Sequence, residues 1–261
     1  MTDMQDRSPR VRMGLKKVGI TSLKIPIRTE WKGKDYRFSP HVEIAIDLPE
    51  DKKGVHMSRL IEAITEAVEE EAAKSGKSIE STGARVLDHL AAIHPFTRGE
   101  MTMELDFFTE KTTPATKKKT IEAHQVMVKV IKDGGNMHKK LSVTVIGNTV
   151  CPHALSVCGV PHIQRAVATL TVESEYDKTV HLEQMIDCVE GSFSSEVYTL
   201  LKTADESAVV KRMHDNPMFV EDVVREILAA ATKAFPGTRV RARVVSHESI
   251  HRHDVVAEGE A

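Results

Sequence analysis

The chain has 261 residues, 41% of them apolar and 28% charged, which is the balance of a folded globular chain and not of a disordered one. A net charge of −2 excludes a whole-surface electrostatic grip on DNA or RNA, so any anionic ligand must be held by a local set of side chains. No stretch approaches the ~18 apolar residues of a membrane span, and no apolar run follows the basic N-terminus as a secretory signal requires.

The first fifteen or so residues are polar and read as a flexible arm. His41 to Leu48 alternates, with Val42, Ile44, Ile46 and Leu48 on one face, and predicts a strand. A helix opens near His56 with Leu60, Ile61, Ile64, Val68 and Ala72 on one stripe, closed by Gly76. A second helix is expected from Gly83 to Ile93, before Pro95. Three strands follow, marked by Met101 to Phe107, Val126 to Val130 and Leu141 to Val145, with turns at Lys117–Lys119 and Asp133–Gly135. Ala166 to Glu173 predicts a strand, His181 to Val189 a helix, and Val220 to Ala231 a strong helix. The last predicted strand carries Val240, Ala242 and Val244, with Arg239, Arg241 and Arg243 on its other face.

The chain also repeats itself. Lys53 to Glu62 aligns with Lys178 to Asp187, each following a strand and opening a helix. The segment from Leu87 runs parallel to that from Glu226, with helix, turn and strand in the same order. The period is too long for a solenoid and implies two copies of one α+β unit. The division expected is an arm over residues 1–15, a first unit over 16–135 and a second over 136–261, together one bimodular domain.

Thirteen histidines, many beside Cys, Glu or Asp, direct attention to metal and acid–base chemistry. Cys151, Cys158 and Cys188 are too few for a disulfide framework, which implies a reducing, cytoplasmic setting. Cys151, His153, Cys158 and His162 lie just after a strand in a segment without periodicity. Thiolate and imidazole suit Zn²⁺ or Fe²⁺, as a closed structural site or an open catalytic one. The plain alternative is a buried Cys158 and an exposed His153. Near the C-terminus, His251 and His253 share one side of a strand and can relay protons or bind a metal, or belong to a solvated tail. Asp205 and Glu206 fall between helical segments. Glu221 and Asp222 open a helix, where carboxylates commonly stabilise the first turn. Lys117–Lys119 and Lys139–Lys140 read as solvated, and neither a P-loop nor a GxGxxG sequence is present.

Seven segments in order resemble one family: Val18 to Arg28, Asp47 to Glu62, Thr149 to Ala154, Pro161 to Ala166, Leu200 to Glu206, Asn216 to Glu226 and Glu248 to Asp254. They look like the type IB GTP cyclohydrolases of bacteria and their archaeal type IV relatives. The resemblance implies a tunnelling fold with two tandem units per chain, a homotetramer with active sites at subunit interfaces, and GTP as substrate. It implies Cys151, His162 and Glu206 as ligands of one divalent metal, Fe²⁺ first, with Zn²⁺ or Mn²⁺ as alternatives. Glu221 matches the carboxylate that anchors guanine, and Cys151, Glu248, His251 and His253 match the catalytic group. Arg59 and Arg165 are candidates for the triphosphate.

Bacterial members read CPCSK where this chain has Cys151-Pro152-His153-Ala154-Leu155, and the archaeal branch is the closer match. The implied reaction is hydrolysis of GTP at C8 with release of formate, the first step of pterin biosynthesis. Archaeal enzymes give a 2′,3′-cyclic phosphate and bacterial ones a triphosphate. The rival reading is a non-catalytic purine- or pterin-binding protein of the same fold with a structural metal.

Overall fold

Long runs of alternating apolar residues commit most of this chain to strands, because successive side chains on a strand face opposite sides. The computed structural model describes residues 3–31, 34–72 and 78–261. Its strands are β1 (Leu15–Lys24), β2 (Ile27–Trp31), β3 (Lys34–Phe38), β4 (His41–Leu48), β5 (Arg98–Thr112), β6 (Lys119–Asp133), β7 (Asn136–Val150), β8 (Ile163–Glu175), β9 (Ser195–Glu196), β10 (Arg239–Ser246) and β11 (Val255–Glu260). Its helices are α1 (Met57–Ala72), α2 (Ile79–Ile93), α3 (Pro152–Cys158), α4 (Leu182–Glu190), α5 (Thr203–Asp215) and α6 (Val220–Ala234), and a 3₁₀ turn spans Met4–Asp6.

Among the described residues the strands form a nine-stranded sheet ordered β1-β4-β5-β6-β7-β8-β10-β11, with β9 on β7, and a separate β2-β3 ribbon. The pairs β1–β4, β4–β5, β8–β10 and β10–β11 are antiparallel. β4 has the predicted bounds, while β5, β6 and β7 each run fifteen residues, well beyond their apolar stretches. On β6 the reason is visible: the buried row begins with Thr120, Glu122 and His124 before it becomes Val126, Val128 and Val130.

Two compact units are distinguished. One comprises Met1–Leu105, Met127–Lys140 and Glu175–Asp177. It contains α1 and α2, whose buried residues include Leu60, Ile64, Val86, Leu87 and Leu90. The carbonyl of Gln5 accepts from the N–H groups of Lys53 and Gly54 at 2.9 and 3.2 Å, which docks the Met4–Asp6 turn. The helix end expected at Gly76 lies outside the described residues. The other unit comprises Asp106–Val126, Leu141–Ser174 and Lys178–Ala261. It contains α3 to α6, and α6 buries Val223, Ile227 and Ala231 while packing on β10 and β11.

The α+β class is present, but two tandem tunnelling units are not the arrangement found. β5, β6 and β7 each contribute residues to both compact units, and one hydrogen-bonded path runs from β1 to β11. Strand length is the cause: at ~3.3 Å per residue, fifteen residues extend about 50 Å, beyond what one small unit can cover. The repeat survives locally. α1 starts at Met57 and α4 at Leu182, equivalent positions of the aligned segments. The α2-to-β5 and α6-to-β10 steps likewise match in length.

Candidate active site

The second unit gathers most of the candidate residues where β7 ends. Val150 is fully buried, and Cys151 caps α3 with its sulfur accepting from the Ala154 N–H at 3.3 Å. The segment expected to lack periodicity is therefore a short helix. Gly159 ends it at φ 71°, a conformation glycine adopts without a Cβ clash. The chain then returns so that the Cys151 N–H donates to the His162 carbonyl at 3.2 Å. Cys158 is exposed, with its thiol donating to the Ala154 carbonyl, and His153 is exposed.

Behind His162 runs a hydrogen-bonded chain. His162 Nδ1 lies 2.9 Å from Gln164 Oε1, and Gln164 Nε2 donates to Glu248 Oε1 at 3.2 Å. The Ser246 hydroxyl donates to the same Glu248 oxygen at 3.1 Å, and the Thr149 hydroxyl lies 2.9 Å from Ser246 Oγ. The side chains of His162 and Glu248 are only 15% and 10% exposed. Glu248 Oε2 stands 3.8 Å from His162 Nδ1, too far for a hydrogen bond, so the amide is the ring's partner.

His251 and His253 do not lie on a strand. They occupy the bend between β10 and β11, closed by a 3.0 Å contact between His247 Nδ1 and Asp254. Their rings stack at 5.1 Å, and His251 meets His162 edge-on at 6.5 Å. Arg165 follows Gln164 on β8 and so faces the opposite side, exposed, while its carbonyl accepts from the His247 N–H at 2.8 Å.

Asp205 and Glu206 belong to the first turn of α5 instead of lying between helices. Asp205 is fully buried and accepts from the N–H groups of Ala115, Thr116 and Lys202 and from the Thr116 hydroxyl. Burial pushes its pKa up, but the Thr116, Lys202 and Ala115 donors outweigh it and hold the carboxyl well below the usual range. Glu206 is exposed, on the helical stripe that continues to Val209 and Met213. Those two residues pack with Val150 and Ile163, the neighbours of Cys151 and His162. Glu221 is exposed in the first turn of α6, just after Met218 bridges Val150. Arg59 lies in the first unit, where it donates to the Ile93 carbonyl at 3.4 Å.

The structure thus brings Cys151, His162, Glu248, His251 and His253 together, with Glu206 and Glu221 on helices anchored at Val150. Among the described residues, the three-ligand set whose donor atoms already converge is a different one, Asp3, Asp6 and His56. The donor chemistry at Cys151 nevertheless fits a metal. With Nδ1–H committed to the Gln164 oxygen, His162 Nε2 keeps its lone pair, and thiolate, imidazole and carboxylate suit Zn²⁺ or Fe²⁺.

Gln164, Thr149 and Ser246 escaped the sequence reading because single hydroxyls and amides carry no spacing signal. A second buried network did too. Lys111 Nζ sits 2.7 Å from both Glu190 and Glu196, and the Tyr198 hydroxyl donates to Glu196. Burial raises the pKa of Glu190. It acts the same way on Glu196, but there Lys111 and Tyr198 prevail and the pKa is lowered.

Known proteins share both the fold and the sequence. Uricase from Arthrobacter globiformis superposes with a TM-score of 0.60 at 8% identity, covering 97% of this chain and 95% of that one. That likeness concerns the fold alone. It replaces the expected tandem tunnelling arrangement with a uricase-like α+β architecture built on one large sheet. The family described as type I GTP cyclohydrolase folE2 matches residues 1–257. GTP cyclohydrolase MptA of Pyrococcus abyssi is 49% identical, covering 98% of each chain, and that of Thermococcus kodakarensis is likewise 49% identical. The MptA of Methanothermobacter thermautotrophicus is 33% identical over 98% of this chain and 92% of its own. No helix among the described residues is long and apolar enough to cross a membrane. The chain belongs to the type I GTP cyclohydrolase family, on its archaeal-type branch, and is an enzyme of that class.

Proposed function

We propose that this enzyme hydrolyses GTP at C8 in a metal-dependent reaction that releases formate and yields a 7,8-dihydroneopterin phosphate, the first step of a pterin pathway. The observation that carries the reading is the backbone bond from Cys151 to His162, which joins a thiol-bearing and an imidazole-bearing residue at the end of β7, with His162 Nδ1 held by Gln164. Cys151, His162 and Glu206 would hold the ion, Fe²⁺ first, with Zn²⁺ or Mn²⁺ as substitutes. When bound, such an ion supplies Lewis acidity and lowers the pKa of water.

The chain's own residues do the rest. The Glu221 carboxylate accepts from the guanine ring N–H and exocyclic amine, which orients C8. His251 and His253, stacked and exposed, take and return protons as the imidazole ring opens and the formyl group is hydrolysed. Glu248 steadies His162 through Gln164. Arg59 and Arg165 are assigned to the triphosphate, which they would reach from a neighbouring copy of the chain in a homotetramer. Similarity to the MptA enzymes favours the 2′,3′-cyclic phosphate over the triphosphate. Anaerobic turnover with Fe²⁺, then oxidation and separation of fluorescent pterins, tests this. Neopterin cyclic phosphate is expected, and neopterin triphosphate would overturn the product assignment.

A further inference from the structure

Two residues beyond His162, Gln164 is 8% exposed and makes two directional contacts with different chemistry. Its carbonyl oxygen faces His162 Nδ1 at 2.9 Å and its amide nitrogen faces Glu248 at 3.2 Å. A carboxylate can only accept, so the amide nitrogen must point to Glu248 and the oxygen to His162. An amide oxygen can only accept as well, so Nδ1 carries the ring proton. The orientation propagates: Ser246 spends its one hydroxyl proton on Glu248, so the Thr149 hydroxyl donates to Ser246. Thr149 and Ser246 are each 1% exposed. This chain starts two residues before Cys151 on β7, crosses the end of β10, passes through Gln164 on β8 and closes at His162, just before that strand begins. It ties the two ligand-bearing segments together.

We infer that Gln164 is a positioning residue of the metal centre. It fixes His162 in the tautomer that presents Nε2 and uses Glu248 as its own anchor. The inference rests on the metal reading above and extends it to a residue that touches neither ion nor substrate. Groups that hold the far nitrogen of a ligating histidine set ring orientation and basicity, and their loss costs about 10–100-fold in metal affinity.

The test is titration of Co²⁺ into metal-free full-length protein, read by visible absorption with its thiolate charge-transfer band, alongside thermal unfolding. Wild type is expected to bind through a band that Cys151→Ala and His162→Ala abolish. Gln164→Met keeps the side-chain length but neither polar contact, and is expected to weaken Co²⁺ by about 10–100-fold with unchanged melting. The exchanged pair Gln164→Glu with Glu248→Gln restores an acceptor for Nδ1–H and an amide donor opposite it, and is expected to recover most of the affinity. Gln164→Met binding like wild type, or the exchanged pair binding as weakly as Gln164→Met, overturns the assignment. A wild-type band indifferent to Cys151 and His162 instead sinks the metal reading, and the positioning role with it.

Discussion

The Cys151 N–H donates to the His162 carbonyl at 3.2 Å, so two residues separated by a helix and a turn are paired at one sheet end. Glu206, the proposed third ligand, is joined to the pair through the packing of Val209 and Met213 on Val150 and Ile163.

Glu206→Gln is therefore the sharpest check on the ligand set. It keeps α5 folded, since Asp205 makes the capping contacts. Bound metal per chain is expected to fall by at least about tenfold, and GTP turnover with it. Normal metal content would remove Glu206 from the set.

Glu221 is exposed and unburdened by the helix core, which suits a substrate-facing carboxylate. Glu221→Gln keeps the shape but sets an amide against the guanine edge. Two charge-assisted hydrogen bonds weaken, so kcat/KM for GTP is expected to drop by roughly 10–100-fold, chiefly through KM. Steady-state kinetics decides it, and an unchanged KM would move the guanine contact elsewhere.

Stability should fall as pH drops below the ordinary histidine range. His124 is 5% exposed, its Nε2 3.0 Å from the Thr109 hydroxyl, and burial first, then the Lys111 charge, lowers its pKa against the opposing pull of Glu122. The unfolded chain then binds the proton more readily than the folded one. This contribution is complete above about pH 6.5 and is lost as pH falls toward the depressed folded value. Burial of His94 acts in the same direction. Melting scans from about pH 8 to about pH 5 should show a shallower decline for His124→Gln than for wild type. Parallel declines would contradict the assignment.

Gly147 on β7 lies under the Phe193 ring, and a Cβ there would stand 2.1 Å from Cδ2. Gly147→Ala must displace a buried aromatic ring. The expected cost is about 1–3 kcal/mol, a Tm lower by about 3–10 °C at this size. In a Phe193→Ala background the same change should cost little, because the clash is gone. Equal costs in both backgrounds would place the strain elsewhere.

Strict alternation made β4 legible to the residue, and the stripe from Leu60 to Val68 announced α1. The ends of β6 were hidden because Thr120, Glu122 and His124 face inward where apolar residues were the signal. The turn into α3 was hidden because Pro152 to Cys158 is too short for periodicity. The local repeat was legible, but one sheet in place of two tandem units was not, since strand pairing across distant segments leaves no mark in either strand. At the site, Cys151, His162, Glu248, His251 and His253 could be named from the family resemblance. The bridge that Gln164 makes between His162 and Glu248 could not, because an amide's role is set by geometry alone.

The most direct test of the central claim is formate released per GTP consumed, measured anaerobically on metal-free protein before and after Fe²⁺ is restored. One formate for each GTP, only with the ion present and abolished by Cys151→Ala, is the expected result. GTP consumed without formate, or formate released equally without metal, would contradict a C8 ring-opening reaction at the Cys151–His162 centre.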